Sequence, residues 1–134
     1  MPTLDFDISY VYDSLKEGIE VPLVIGAGGI DVRTTGFVDC GAASCLFSHE
    51  VGLLLQIDVE SGTPMTFGPA SGGGLPAYGH MASLEFLGLS FESFVYFAKY
   101  PGLRRNLLGR QGFLRKLQFG LIEQDYTIFF SRLK

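Results

Sequence analysis

Asp39 is the side chain whose setting most demands a chemical explanation. It follows Thr35-Gly36-Phe37-Val38, so it emerges from an apolar strand rather than from a solvated loop, and an aspartate in the interior is rare unless paired. Gly41, two residues on, frees the backbone to turn sharply and lets another chain approach closely. Ala42 and Ala43 keep the loop narrow. A carboxyl group positioned in this way can take or give a proton. It can equally close an Asx-type turn, bonded to nearby backbone amides. The residue types alone leave both readings open.

A second segment echoes the first. Val38-Asp39-Cys40-Gly41 and Asn106-Leu107-Leu108-Gly109 each end an apolar strand at a glycine and precede a helical stretch, about half the chain apart. An internal repeat and a coincidence in a glycine-rich chain account for this pattern equally well. Other chemistry finds less support. His49 and His80 could be imagined with Asp39 and Ser44 as a hydrolase triad, but no nucleophile-elbow motif is present. Cys40 and Cys45 have no companions at metal-ligand spacing, so no metal and no cofactor is expected. Gly26-Ala27-Gly28-Gly29 is followed by a strand-like segment, not by the helix a dinucleotide loop requires. Ser71-Gly72-Gly73-Gly74 lacks the Gly-Lys-Ser/Thr of a phosphate loop.

The elements that must hold Asp39 are mostly strands. Leu4, Phe6, Ile8 and Tyr10 alternate with polar residues, which predicts a half-buried strand. Asp13 to Gly18 reads as a turn, Val21 to Ile25 as a strand with Pro22 near its start, and Gly26 to Gly29 as a loose hairpin into a strand over Asp31 to Val38. Cys45-Leu46-Phe47 is a short strand, and Ser48 can cap a helix over His49 to Leu55. Thr63 to Leu87 reads as two strands joined at Ser71 to Gly74, a hairpin tip with almost no side chains. Phe91 to Phe97 is a further strand, a short helix is expected near Arg110 to Leu117, and Tyr126 to Phe130 is a final strand. Without a linker-like stretch, residues 1–134 are expected to form one domain.

Composition narrows the classes. A chain of 134 residues can bury roughly two-thirds of its unfolded surface. With 47% hydrophobic and 18% charged residues it is neither disordered nor a coiled coil. A net charge of −4 argues against a nucleic-acid partner. No apolar run approaches the roughly 18 residues of a membrane span, so no membrane association is expected. Two cysteines exclude a disulfide framework, and a reducing cytoplasmic home is expected.

Phe37-Val38-Asp39-Cys40-Gly41-Ala42-Ala43-Ser44 resembles the active-site loop of retropepsin-type aspartic proteases, apolar-apolar-Asp-(Thr/Ser)-Gly-Ala. Asn106-Leu107-Leu108-Gly109-Arg110 is similar to that family's C-terminal apolar-apolar-Gly-Arg segment, and Ser71 to Gly74 falls where such proteases carry the flap. The features stand in the family's order over about residues 19 to 130. The resemblance implies a mainly β, closed-barrel fold with one or two short helices and a flap hairpin, forming half of an enzyme. One motif per chain implies a homodimer, with two copies of Asp39 sharing a proton and activating a water for hydrolysis of an extended polypeptide at apolar residues. It makes Cys40, Gly41 and Ala42 the active-site loop. Ala43, Ser71, Gly72, Gly73, Gly74, Leu107 and Leu108 become substrate-binding residues, although core packing also suits the two leucines. Two positions depart from the pattern: Cys40 stands where the family has a hydroxyl that bonds across the dimer axis, and Ala43 where it often has an acidic partner for the arginine, here Arg110. Each bears on how tightly a dimer holds. The alternatives are a catalytically inactive dimerisation or peptide-binding module of the same fold, and a small barrel that binds an apolar ligand.

Overall fold

Period-two alternation dominates the chain, and strands dominate the structure. The computed structural model describes residues 1–68 and 72–133. In chain order these form β1 (Ile8–Val11), β2 (Ile19–Ala27), β3 (Ile30–Val38), β4 (Leu46–Phe47), helix α1 (His49–Leu54), β5 (Thr63–Phe67), β6 (Leu75–Phe86), β7 (Leu89–Ala98), β8 (Leu107–Leu108), β9 (Leu117–Ile122) and β10 (Thr127–Arg132). The larger sheet runs β2-β3-β8-β4-β7-β6-β5, and β2 pairs β6 as well, at Val24 to Gly26. That extra pairing closes six strands into a ring, with β5 standing off β6 as the free arm of a hairpin. The mainly β fold expected from the sequence is therefore present, its ring closed over a short stretch of β2 and β6.

Inward-facing residues of the ring form an aromatic core. Phe47, Phe86, Phe97, Phe113 and Phe130 are fully buried. Phe86 packs 4.3 Å from Phe130 and edge-on to Phe113 at 5.2 Å, measured between ring centroids. Such pairs add about 0.5–1.5 kcal/mol beyond their burial. Phe130 belongs to a second, antiparallel sheet, β1-β10-β9, so this stack also fixes the terminal strands to the barrel. Tyr12 continues the attachment: its amide donates to the Tyr126 carbonyl at 3.0 Å and its hydroxyl donates to Glu123. Burial, with the Glu123 carboxylate beside it, pushes the Tyr12 phenol up to about 12, so it remains a donor at any physiological pH.

Local signals were realised where they were strongest. The Ser48 hydroxyl accepts from the Val51 amide at 3.2 Å and caps α1. Ala82, Leu84 and Phe86 turn inward on β6. Elsewhere the elements differ from expectation. The first strand begins only at Ile8, leaving Leu4 exposed. The β2–β3 connection is tight, not loose: Gly28 and Gly29 both adopt positive φ, at 57° and 84°, and Ala27 pairs directly with Ile30, the backbone twist that two-residue hairpins favour. Pro22 lies well inside β2, tolerated because β6 pairs β2 only from Val24 onward.

The expected helix near Arg110 to Leu117 is a correction: only a single 3₁₀ turn, Leu114–Lys116, forms there. The amides of Arg110 and Gln111 donate to the carbonyls of Ala42 and Ala43, both at 2.9 Å, and those of Leu114 and Arg115 reach back to the carbonyls of Gly109 and Arg110. Gly112, however, sits at φ 94°, outside the helical range, so the chain winds for only one turn. It continues instead into β9, a strand not anticipated from the sequence.

Candidate active site

The two echoing segments lie side by side. β8 runs between β3 and β4, parallel to β3 with Phe37 opposite Leu107 and Val38 opposite Leu108, and antiparallel to β4 through Leu46 and Leu107. The ladder carries one step beyond β3, because the Asp39 amide donates to the Leu108 carbonyl at 3.0 Å. The chain then folds over Gly109. A Cβ there would fall onto the Ser44 carbonyl oxygen and within 2.7 Å of the Ala42 carbonyl oxygen, so only glycine fits. The bonds from Arg110 and Gln111, with a parallel bridge between Ser44 and Gln111, fasten the loop's far side. Six residues of loop are thus held on both flanks by one continuous segment of the second half of the chain.

Asp39 is half-buried on this platform. Its Oδ1 accepts from the Gly41 amide at 2.9 Å, and the Ala42 amide donates to its carbonyl at 3.2 Å. The Asx turn considered above is therefore present, and it occupies one carboxylate oxygen. Among the described residues Oδ2 has no hydrogen-bond partner. The turn orients the carboxyl group and leaves Oδ2 unengaged, so the turn does not rule out acid–base chemistry there. Gly36 and Val38 turn toward the core, while Phe37 and Asp39, on the alternate positions, turn the other way.

The remaining candidates are placed as follows. Cys40, Gly41 and Ala43 are exposed on the loop and Ala42 is half-buried. Leu108 is fully buried against Gly36, and Leu107 is half-buried beside Leu46, Ala77 and Ala98. Gly72 and Gly73 take positive φ at the tip of the β5–β6 hairpin, and Ser71 lies outside the described residues. Arg110 is exposed and makes no ion pair among the described residues. His49 and His80 each bond a backbone carbonyl, of Ala98 at 3.1 Å and of Val59 at 2.8 Å. Cys45 is buried; burial pushes its thiol up to about 12, against a smaller opposing pull from a backbone contact at Gly109. No group of three or more His, Cys, Asp or Glu side chains able to hold a metal occurs among the described residues.

Asn106 is the organising residue that sequence reasoning did not single out. Its side chain is buried, accepts from the Ser48 amide at 2.8 Å, and donates to the Thr35 carbonyl at 2.8 Å and the Thr34 hydroxyl at 3.1 Å. Its own carbonyl accepts from the Phe37 amide at 2.8 Å. One amide side chain thereby ties β3, β8 and the start of α1 together just before Asp39. Asn106→Ala is expected to cost about 1–3 kcal/mol in urea unfolding, since it removes the partner of the part-buried Ser48 amide and Thr35 carbonyl bonds. A loss below about 0.5 kcal/mol would mean that these bonds do not hold the platform. The sequence signal was available: an asparagine directly before the Leu107-Leu108 pair.

No protein-family model and no curated protein matches this chain. Solved structures do. A retropepsin-like aspartic protease from Rickettsia conorii superposes with a TM-score of 0.70 at 18% identity, covering 97% of this chain and 96% of that one. EIAV protease, complexed with an inhibitor, superposes with a TM-score of 0.55 at 17% identity, covering 75% of this chain and 88% of that one. At these identities the likeness is one of fold.

Proposed function

Given that this chain has the retropepsin-like fold, we propose that it is one half of an aspartic endopeptidase whose active site forms between two copies. The observation that carries this reading is the Asp39 loop, seated on Gly109 to Gln111 with one carboxylate oxygen engaged and the other free. One carboxyl group cannot do the whole reaction. A two-fold axis at the loop would set a second Asp39 against the first, and two carboxyl groups so close share one proton. The ionised partner takes a proton from the water as its oxygen attacks the peptide carbonyl carbon. The protonated partner gives its proton to the carbonyl oxygen. Collapse of the tetrahedral intermediate expels the amine, which leaves protonated by the pair. The β5–β6 hairpin acts as the flap, adding strand-like hydrogen bonds to an extended polypeptide.

In this reading the terminal sheet forms a second contact with the other copy. Leu4, Phe6, Phe119, Leu121, Ile122 and Phe129 surround an apolar cleft of about 350 Å³, with Leu121 and Ile122 each 46% exposed. Deleting residues 1 to 12 would be a poor probe of dimerisation, because Tyr12 belongs to the chain's own core.

Cys40 provides a cleaner test. Its thiol, exposed on the single chain, would be shielded in the dimer near the axis. Cys40→Thr would place there a stronger hydrogen-bond donor, adding about 1 kcal/mol per bond formed across the axis. The expected result is a homodimer in sedimentation at micromolar concentration, a lower dissociation constant in Cys40→Thr, and equal or higher turnover of a peptide library. A monodisperse monomer at high concentration would sink the reading. So would a Cys40 that reacts with a thiol reagent as fast as a model thiol in an intact dimer. A tighter dimer with both forms inactive would favour the peptide-binding module.

A further inference from the structure

We propose that Arg105, supported by Arg104, makes this cleft select acidic side chains within two residues of the scissile bond; the inference rests on the protease reading and names its substrate class. Phe37 stands two residues before Asp39 and turns to the same face of β3. The Arg105 guanidinium lies over the Phe37 ring, 4.4 Å from its centroid. An extended polypeptide rises about 3.3 Å per residue, so a chain aligned on Asp39 brings a side chain one or two positions away onto this stacked pair. A glutamate suits it in both parts. Its aliphatic stem can lie on the ring, and its carboxylate matches the guanidinium fork, which takes carboxylates through two parallel hydrogen bonds.

That fork is not saturated by the chain itself. The one ion-pair contact of Arg105 is a single Nη2–Oε2 approach to Glu17 at 3.4 Å, with the two side chains 42% and 88% exposed. Pairs of this kind contribute little and exchange readily with competing carboxylates. Arg104 is exposed and has no ion-pair partner among the described residues, nor has Glu20, directly across the ladder from Phe37. Arg104, Arg105, Glu20, Thr35, Phe37 and Asn106 border a cleft of about 230 Å³. Two adjacent arginines here run against a chain of 14 acidic and 10 basic residues. Glu17 acts as a placeholder that the substrate displaces. By two-fold symmetry the preference applies on both sides of the scissile bond, replacing the expected apolar residue where the substrate crosses Phe37.

The test separates binding from turnover. Matched octapeptides differing only by Glu or Gln at one position are titrated against Asp39→Asn protein by fluorescence anisotropy, and the same peptides are offered to the wild type. Glutamate is expected to bind roughly five- to tenfold more tightly than glutamine at positions flanking the centre. The preference should vanish in Asp39→Asn/Arg105→Met and grow in Asp39→Asn/Glu17→Gln, a surface change that keeps the test alive if the first variant is unstable. Equal binding of both peptides, or a preference that survives Arg105→Met, overturns the inference. Turnover without acidic preference overturns it and leaves the protease reading standing. Acidic preference in binding with no turnover by the wild type does the reverse, and no binding of any peptide overturns both.

Discussion

Asp39→Asn is expected to lower peptide hydrolysis by about a thousandfold or more, the scale set by removing a positioned acid–base group. Folding should be nearly untouched. The amide oxygen of asparagine can accept the Gly41 hydrogen bond that the Asp39 Oδ1 accepts now, so the turn survives. What is lost is the free oxygen and the ability to exchange a proton with a second copy. Turnover of a peptide library, measured beside a thermal melt and sedimentation for both proteins, separates the two effects. Cleavage that persists in the variant would withdraw the aspartic assignment.

Gly109→Ala should be strongly destabilising. Glycine-to-alanine changes usually gain about 0.4–1 kcal/mol by restricting the unfolded chain. Here the added carbon would meet the carbonyl oxygens of Ser44 and Ala42, backbone atoms that cannot swing aside. The collision dominates, and a net loss above about 3 kcal/mol in urea unfolding is expected. Gly36→Ala is the matched control. Its new carbon would meet the side chain of Leu108 at 2.9 Å, which can adjust its rotamer, so the cost should be smaller. If the two variants are equally stable, the loop is not seated on Gly109 as described.

The sequence was legible where a few neighbouring residues decide the outcome. Ser48 capping α1, the alternation along β6 and the turn at Asp39-Cys40-Gly41 each depend on contacts within about one turn or strand. The segment after Gly109 was misread because its amides bond to Ala42 and Ala43, distant partners that no local propensity announces. The positive φ of Gly112 then limits the winding to a single 3₁₀ turn before β9. Asn106 and Arg105 escaped notice for the same reason: their partners Thr34, Thr35, Ser48 and Phe37 lie in the first half of the chain. The candidate catalytic residue was readable from its own loop; what holds that loop was not.

The placement of β8 between β3 and β4 also fixes when the site can come into being during synthesis. The β2–β3 and β6–β7 hairpins can pair locally while the ribosome is still working. The Asp39 loop has no platform until Asn106 to Gln111 has been made and threaded between strands already in place, closing a loop of roughly seventy residues. Contacts so distant in sequence form late and slowly. The emerging chain therefore carries the Asp39 carboxyl on an unsupported turn until the segment through Gln111 has been made and seated.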